Sequence, residues 1–294
     1  MQIIEDIDAL RAARRTLSGR VGLVPTMGYL HEGHLALVRA ARAANDQVIA
    51  TIFVNPTQFA ANEDLSTYPR DLPRDLAMLE AEGVAVVFTP TPDVMYPPGF
   101  QTYITVEQVS QGREGAQRPG HFRGVATVVA KLFNIVEADT AYFGQKDAQQ
   151  VVVIQQMVRD LNFGLEIVVC PIVREADGLA LSSRNVYLNA DERQAATCLY
   201  RGLQAAATQY AAGVRDPDHL REAAQAVIEA EPLATLNYVS LADAKTLTEA
   251  SSASDRPLLL SVAAQVGKPR LLDNCLLPLE LNNQTDASRV LGVR

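Results

Sequence analysis

Between residue 1 and about residue 173, apolar runs of strand length alternate with stretches that space their apolar residues as a helix does. Val21-Gly22-Leu23-Val24-Pro25 reads as a buried strand, and Gln47 to Val54 as a second, β-branched one. Between them, Leu35 to Ala44 reads as a helix with Leu35, Val38 and Arg42 on one face. Asp71 to Glu82 is expected to be a helix with Leu72, Leu76 and Leu79 on one face, stopped by Gly83. Val84 to Phe88 follows as a third strand. The same rhythm gives a helix over Gly124 to Val136, a strand over Thr140 to Phe143, a helix over Asp147 to Leu161 and a strand over Leu165 to Val169. Strands that are apolar throughout belong to a parallel sheet covered on both faces. Right-handed crossovers then bring the strand ends, and any ligand, to one edge.

After about residue 175 the pattern changes. Asp191 to Ala212 is Ala-rich and helical with Gly213 as its stop, and Asp218 to Glu231 is a second helix after Pro217. Leu236 to Leu241, Leu258 to Val266 and Lys268 to Asp273 read as strands. The expected fold is α/β: a Rossmann-like open parallel sheet over 1–175, then a smaller α+β lid domain over 176–281. Residues 282–294 are polar and weakly patterned, and are expected to form a flexible tail.

Composition narrows the function classes. The chain has 294 residues, 48% hydrophobic and 20% charged, enough for a sizeable core in one or two domains. Its net charge of −8 argues against a nucleic-acid partner, which needs clustered Lys and Arg, but leaves room for a local phosphate pocket. No apolar run approaches the ~20 residues that span a bilayer, so no membrane is expected. Met1 to Asp6 is neither a basic leader nor a transit peptide, so a cytoplasmic location is expected. Cys170, Cys198 and Cys275 lack C-x-x-C spacing and read as small buried hydrophobes.

The sharpest chemical signal is the strand-turn-helix that carries Pro25-Thr26-Met27-Gly28-Tyr29-Leu30-His31-Glu32-Gly33-His34. A helix opening near Gly33 or His34 presents unpaired N–H groups and the positive end of its dipole, a ready seat for phosphate. His31 and His34, three apart, can face the same side of that entrance and donate hydrogen bonds as charge builds on phosphorus. The alternatives are a chance pairing or a metal site, and zinc lacks a third Cys or His at a useful spacing. Gly144-Gln145-Lys146-Asp147 sits between a strand and a helix, where Lys146 offers a mobile positive charge to phosphate or is an ordinary surface lysine. Leu181-Ser182-Ser183-Arg184 combines two hydroxyls and a guanidinium suited to pyrophosphate, or is a polar linker. Asn55, Gln58 and Gln150 can bind a hydroxyl or carboxylate without adding charge. Asp75 and Asp147 can position Mg²⁺ directly or through water, or serve as helix caps. His121 lies between Arg118 and Arg123 and is given no catalytic role.

The strand-turn-helix resembles the nucleotidyltransferase superfamily with its HxGH motif. Together with Ile52 to Phe59, Tyr68-Pro69-Arg70, Arg118 to Gly124, Phe143 to Asp147 and Asp177 to Asn185, the chain resembles the pantothenate synthetase (pantoate–β-alanine ligase) family over roughly residues 1 to 275. It departs from the family at Gln145, where a Glu is usual, and in the tail after about Leu276. The resemblance implies an ATP-dependent ligase that joins (R)-pantoate to β-alanine through a pantoyl adenylate. Mg²⁺ would accompany ATP as co-substrate, with no tightly bound organic cofactor. It further implies that His34, His31 and Lys146 stabilise charge on the phosphate. Met27 to His34, Gly144 to Asp147, Val173 and Leu181 to Arg184 would contact ATP. Pro25, Thr26, Asn55, Gln58 and Gln150 would contact the substrates. A homodimer through the N-terminal domain is implied as well. The rivals are another HxGH enzyme, such as an adenylyl- or cytidylyltransferase or a class I aminoacyl-tRNA synthetase, and a catalytically silent nucleotide sensor.

Overall fold

A computed structural model describes residues 1–60, 63–252 and 256–278. The described residues form two compact units, one from Met1–Gly144 and Gln149–Cys170, the other from Gln145–Ala148 and those from Pro171 onward. The expected tail over 282–294 lies outside the described residues.

The first unit is a six-stranded parallel sheet with helices between its strands. In chain order its elements are β1 (Gln2–Ile4), α1 (Ile7–Thr16), β2 (Val21–Thr26), α2 (Glu32–Ala44), β3 (Gln47–Ile52), α3 (Leu72–Ala81) and β4 (Val86–Phe88). Then come α4 (Pro92–Met95), α5 (Arg113–Gln117), α6 (His121–Val136), β5 (Thr140–Gly144), α7 (Ala148–Asp160) and β6 (Glu166–Cys170). The strand order is β1-β4-β3-β2-β5-β6. β2 pairs β3 over its whole length, Val21 with Gln47 through Thr26 with Ile52, and meets β5 on its other side at Gly22 and Leu23. The strand sequence therefore reverses direction across β2, and the crevice outside the ends of β2 and β5 is the topological switch point where open sheets bind ligands.

Val21, Leu23, Val24, Val48, Ile49 and Ala50 are wholly buried, which is why these strands show continuous apolar runs rather than alternation. The helix after β2 begins at Glu32, earlier than its apolar spacing indicates, because His31 supplies the cap. β1 escapes the sequence reading: it is three residues long and Ile3 is 53% exposed, so no burial pattern marks it.

The smaller unit packs α8 (Ala190–Ala195), α9 (Cys198–Ala211) and α10 (Pro217–Glu229) with β7 (Ala234–Asp243), β8 (Leu258–Val266) and β9 (Arg270–Leu277). The three strands form an antiparallel sheet in the order β7-β8-β9. The single helix expected over 191–212 is instead two. The N–H of Thr197 bonds the Gln194 carbonyl, that of Leu199 bonds Ala196, and the Thr197 hydroxyl also takes the Gln194 carbonyl at 2.7 Å. These short-range bonds tighten the turn and end the first helix, which an Ala-rich composition does not signal.

One close approach holds a loop at the sheet edge. A Cβ on Gly124 of α6 would lie 2.4 Å from the Thr57 carbonyl oxygen and 2.7 Å from the Gln58 nitrogen. Gly124→Ala is therefore expected to destabilise the fold by about 1–3 kcal/mol, read as a lower urea midpoint at unchanged slope.

Candidate active site

The turn after β2 is built around a carboxylate from α3. Gly28 and Tyr29 both sit in the left-handed region, with φ of +83° and +50°. Such a conformation is costly for Tyr29 and persists only where its surroundings over-determine it. Asp75 does so: its Oδ2 accepts from the Tyr29 N–H and its Oδ1 from the Leu30 N–H, each at 2.7 Å. A Cβ on Gly28 would lie 3.0 Å from both Asp75 Oδ2 and Ile52 Cγ2, so glycine is required there for space as well as for φ. Asp75 is 1% exposed, and burial pushes its carboxyl above the ordinary value although both backbone donors pull the other way. Thr26, also buried, donates to the Thr51 carbonyl and accepts from the Gly28 N–H.

The turn delivers the chain into α2 through a cap made of two histidines. His31 is the N-cap, and its Nδ1 accepts from the Gly33 N–H at 3.1 Å. His34 reaches back so that its Nδ1 accepts from the His31 N–H at 3.3 Å. The ring centroids are 4.1 Å apart. This is the reciprocal logic of a capping box with imidazole in place of hydroxyl and carboxylate. A neutral imidazole that accepts at Nδ1 carries its proton on Nε2. Both rings are thus assigned as Nε2–H donors at the head of a helix. Glu32 pairs with Arg39 of the same helix.

Beside the turn, Gln58 lies in a short 3-10 turn over Pro56–Gln58. Its Nε2 contacts the Met27 sulfur at 3.2 Å, and its Oε1 accepts from Asn55 Nδ2 at 3.1 Å. Asn55 is 1% exposed and also donates to the Gly124 carbonyl, while its Oδ1 accepts from the Thr57 hydroxyl and from Tyr96 at 2.8 Å. Asn55 therefore fixes Gln58 in place. Behind Gln58 stands His121. Arg118 can only donate, so at 3.1 Å its Nη1 makes His121 Nε2 an acceptor, and His121 Nδ1–H donates to the Gln58 carbonyl at 2.9 Å. Arg118 is held in turn by both Glu63 oxygens at 2.6 and 2.7 Å. Burial alone would raise the Glu63 carboxyl, but the Arg118 bonds outweigh it and hold it below the ordinary value. Burial first, and the Arg118 charge second, push the His121 pKa down to about 4.

The remaining expected site residues divide between the units. Gly144 ends β5, and Gln150 is half-buried in the first turn of α7. Its neighbour Gln149 is buried and serves the 109–114 loop, accepting from the Glu114 N–H and donating to the Val109 and Gln111 carbonyls. In the smaller unit, Gln145, Lys146 and Asp147 form a 3-10 turn, with Lys146 Nζ 3.8 Å from the Asp147 carboxylate. Gln145 Nε2 donates to Asn274 Oδ1 at 3.3 Å, a bond for which a Glu has no donor. The Val173 carbonyl accepts from the Leu181 N–H, and Ser182 caps a 3-10 turn over Ser183–Tyr187 by accepting from the Arg184 N–H. Among the described residues no three His, Cys, Asp or Glu side chains are grouped as metal ligands. Burial raises the thiols of Cys170 and Cys198 to about 11 and that of Cys275 to about 12, far from nucleophilic at neutral pH. No helix among the described residues is long and apolar enough to cross a membrane.

The sequence profile of the pantoate-beta-alanine ligase family matches residues 2–276. The chain belongs to this family. A pantothenate synthetase of Roseiflexus castenholzii is 62% identical over 277 residues, covering 94% of this chain and 99% of the relative. The crystal structure of pantothenate synthetase from Thermus thermophilus matches with a TM-score of 0.89 at 46% identity, over 93% of this chain and 98% of that one. A pantoate-beta-alanine ligase from Francisella tularensis, complexed with beta-gamma ATP and beta-alanine, matches with a TM-score of 0.77 at 34% identity, over 97% and 100%. The family's parallel sheet and small antiparallel sheet are those found here. Sequence reasoning missed Tyr96, Glu63 and the bracing role of Asp75 in this ligase; only the Arg118-to-His121 run had drawn notice.

Two measurements probe these contacts. His34→Ala is expected to cost about 1 kcal/mol of stability through the lost cap, and His34→Gln, whose amide can cap as in a normal box, to restore it. Neutral His121 stabilises the fold fully above its unfolded pKa of 6.5, and that contribution is lost as pH falls toward about 4. The urea midpoint of the wild type should fall more steeply over that interval than that of His121→Asn, which keeps a donor but does not titrate.

Proposed function

We propose that this ligase condenses (R)-pantoate with β-alanine at the expense of ATP, through a pantoyl adenylate. The observation that carries the reading is the pair of Nε2–H donors set at the N-terminus of α2, beside the switch point of the sheet. A pantoate carboxylate oxygen attacks the α-phosphorus of Mg·ATP, the bond to the bridging oxygen breaks, and pyrophosphate leaves. The β-alanine amine then attacks the acyl carbon, loses a proton, and AMP departs with the former carboxylate oxygen. His31 and His34 donate to phosphate oxygens as charge accumulates, and Lys146 adds a full positive charge.

Gln58 and Gln150 hold pantoate through neutral amides, which bind its hydroxyl and carboxylate while leaving the carboxylate nucleophilic; Pro25, Thr26 and Asn55 line the same place. Met27 to His34, Gly144 to Asp147, Val173 and Leu181 to Arg184 contact the nucleotide. Mg²⁺ would accompany ATP and supply positive charge at its phosphates. Asp147, with its side chain 48% exposed, can meet it through water. Both oxygens of buried Asp75 already accept backbone N–H bonds, so its part is to hold the turn on which the phosphate rests. The resemblance also carries a homodimer and a cytoplasmic location.

Pantoate without β-alanine is expected to support isotope exchange between pyrophosphate and ATP; no exchange with active enzyme defeats the adenylate. Lys146→Ala should lower that exchange about a hundredfold, and His34→Gln should do likewise while keeping wild-type stability.

A further inference from the structure

The turn that carries Lys146 is fastened within the smaller unit by one buried side chain of β9. Asn274 is 2% exposed, and its Nδ2 donates to the Gln145 carbonyl at 3.1 Å and the Lys146 carbonyl at 2.9 Å. Its Oδ1 receives the Gln145 amide. Three bonds from one buried amide thus fix two consecutive residues of a short turn. Burying an amide is costly unless its donors are satisfied, and here both are spent on that backbone.

The preceding residue holds the other phosphate-handling segment. Asp273, 3% exposed, pairs through two bonds of 2.6 and 2.9 Å with the Arg174 guanidinium. Arg174 also donates to the Gly178 carbonyl at 3.0 Å and to the Asn274 carbonyl at 3.3 Å, and lies 4.6 Å from the Tyr200 ring centroid. Arg174 stands at the base of a tight loop in which the Glu175 N–H bonds the Leu179 carbonyl and the Leu181 N–H bonds Val173. The chain leaves that loop directly into Leu181-Ser182-Ser183-Arg184. Adjacent residues of one strand therefore anchor the Lys146 turn and the base of the Ser182–Arg184 loop.

We propose that Asn274 is a positioning residue for Lys146, and that Asp273 and Asn274 together fix the spacing between Lys146 and the Ser182–Arg184 loop so that the two act as one body on the departing pyrophosphate. The proposal rests on the phosphate role of Lys146 given above. A purely structural Asn274 would act on stability alone; a positioning one acts through Lys146.

The test is a double-mutant cycle on pantoate-dependent pyrophosphate–ATP exchange in the full chain, with melting temperatures measured alongside. Asn274→Ala is expected to lower the maximal exchange rate by about ten- to a hundredfold. The pantoate KM should be unchanged, and the substitution should add nothing when Lys146 is already Ala. Asn274→Ser, which keeps one donor, should recover part of the loss. Wild-type exchange in Asn274→Ala, an equal further loss in the Lys146→Ala background, or a loss no larger than the unfolded fraction at the assay temperature would overturn the proposal. If Lys146→Ala alone exchanges at the wild-type rate, the reading of Lys146 fails first and takes the proposal with it.

Discussion

A single carboxylate, Asp75, accepts two consecutive backbone N–H groups and so holds the chain in a left-handed turn where β2 ends. That pair of bonds supports Tyr29 at positive φ, and the next residue, Leu30, lies buried. The direction in which the chain enters α2 follows from the turn, and the two imidazoles that cap α2 follow from that entry. The arrangement withdraws a carboxylate from water, which raises its pKa, and offsets the cost with short charge-assisted bonds. What the carboxylate secures is a fixed row of donors at a helix end, ready before any ligand arrives.

The Gln58 side of the site obeys a different rule. Its amide is set by Asn55, its carbonyl is held by His121, and the adjacent cation, Arg118, is paired in two bonds with Glu63. The charge is thereby kept local. The same burial that keeps His121 neutral makes it a fixed donor.

Much of the larger unit was legible because parallel strands buried on both faces leave long apolar runs, and because β2 leads straight into two histidines three residues apart. The small antiparallel sheet was legible in outline, with β8 read at its true ends. β1 was not, since three largely exposed residues carry no period. Nor was the break between α8 and α9, which depends on a hydroxyl choosing a nearby carbonyl. Candidate site residues could be named where their neighbours in sequence advertised them, as at Gly144 to Asp147. The bracing of Tyr29 by a residue 46 positions later, or of Lys146 by one 128 positions later, has no local signature. Such contacts exist only after the chain is folded, and Asn274 in particular reads in sequence as one polar residue in a strand.

The two capping imidazoles have a consequence for the chemistry open to them. Each ring commits its Nδ1 lone pair to a backbone N–H, so neither imidazole can offer that lone pair to anything else while it caps α2. Capping α2 and acting as a base through Nδ1 are thus mutually exclusive for these two rings.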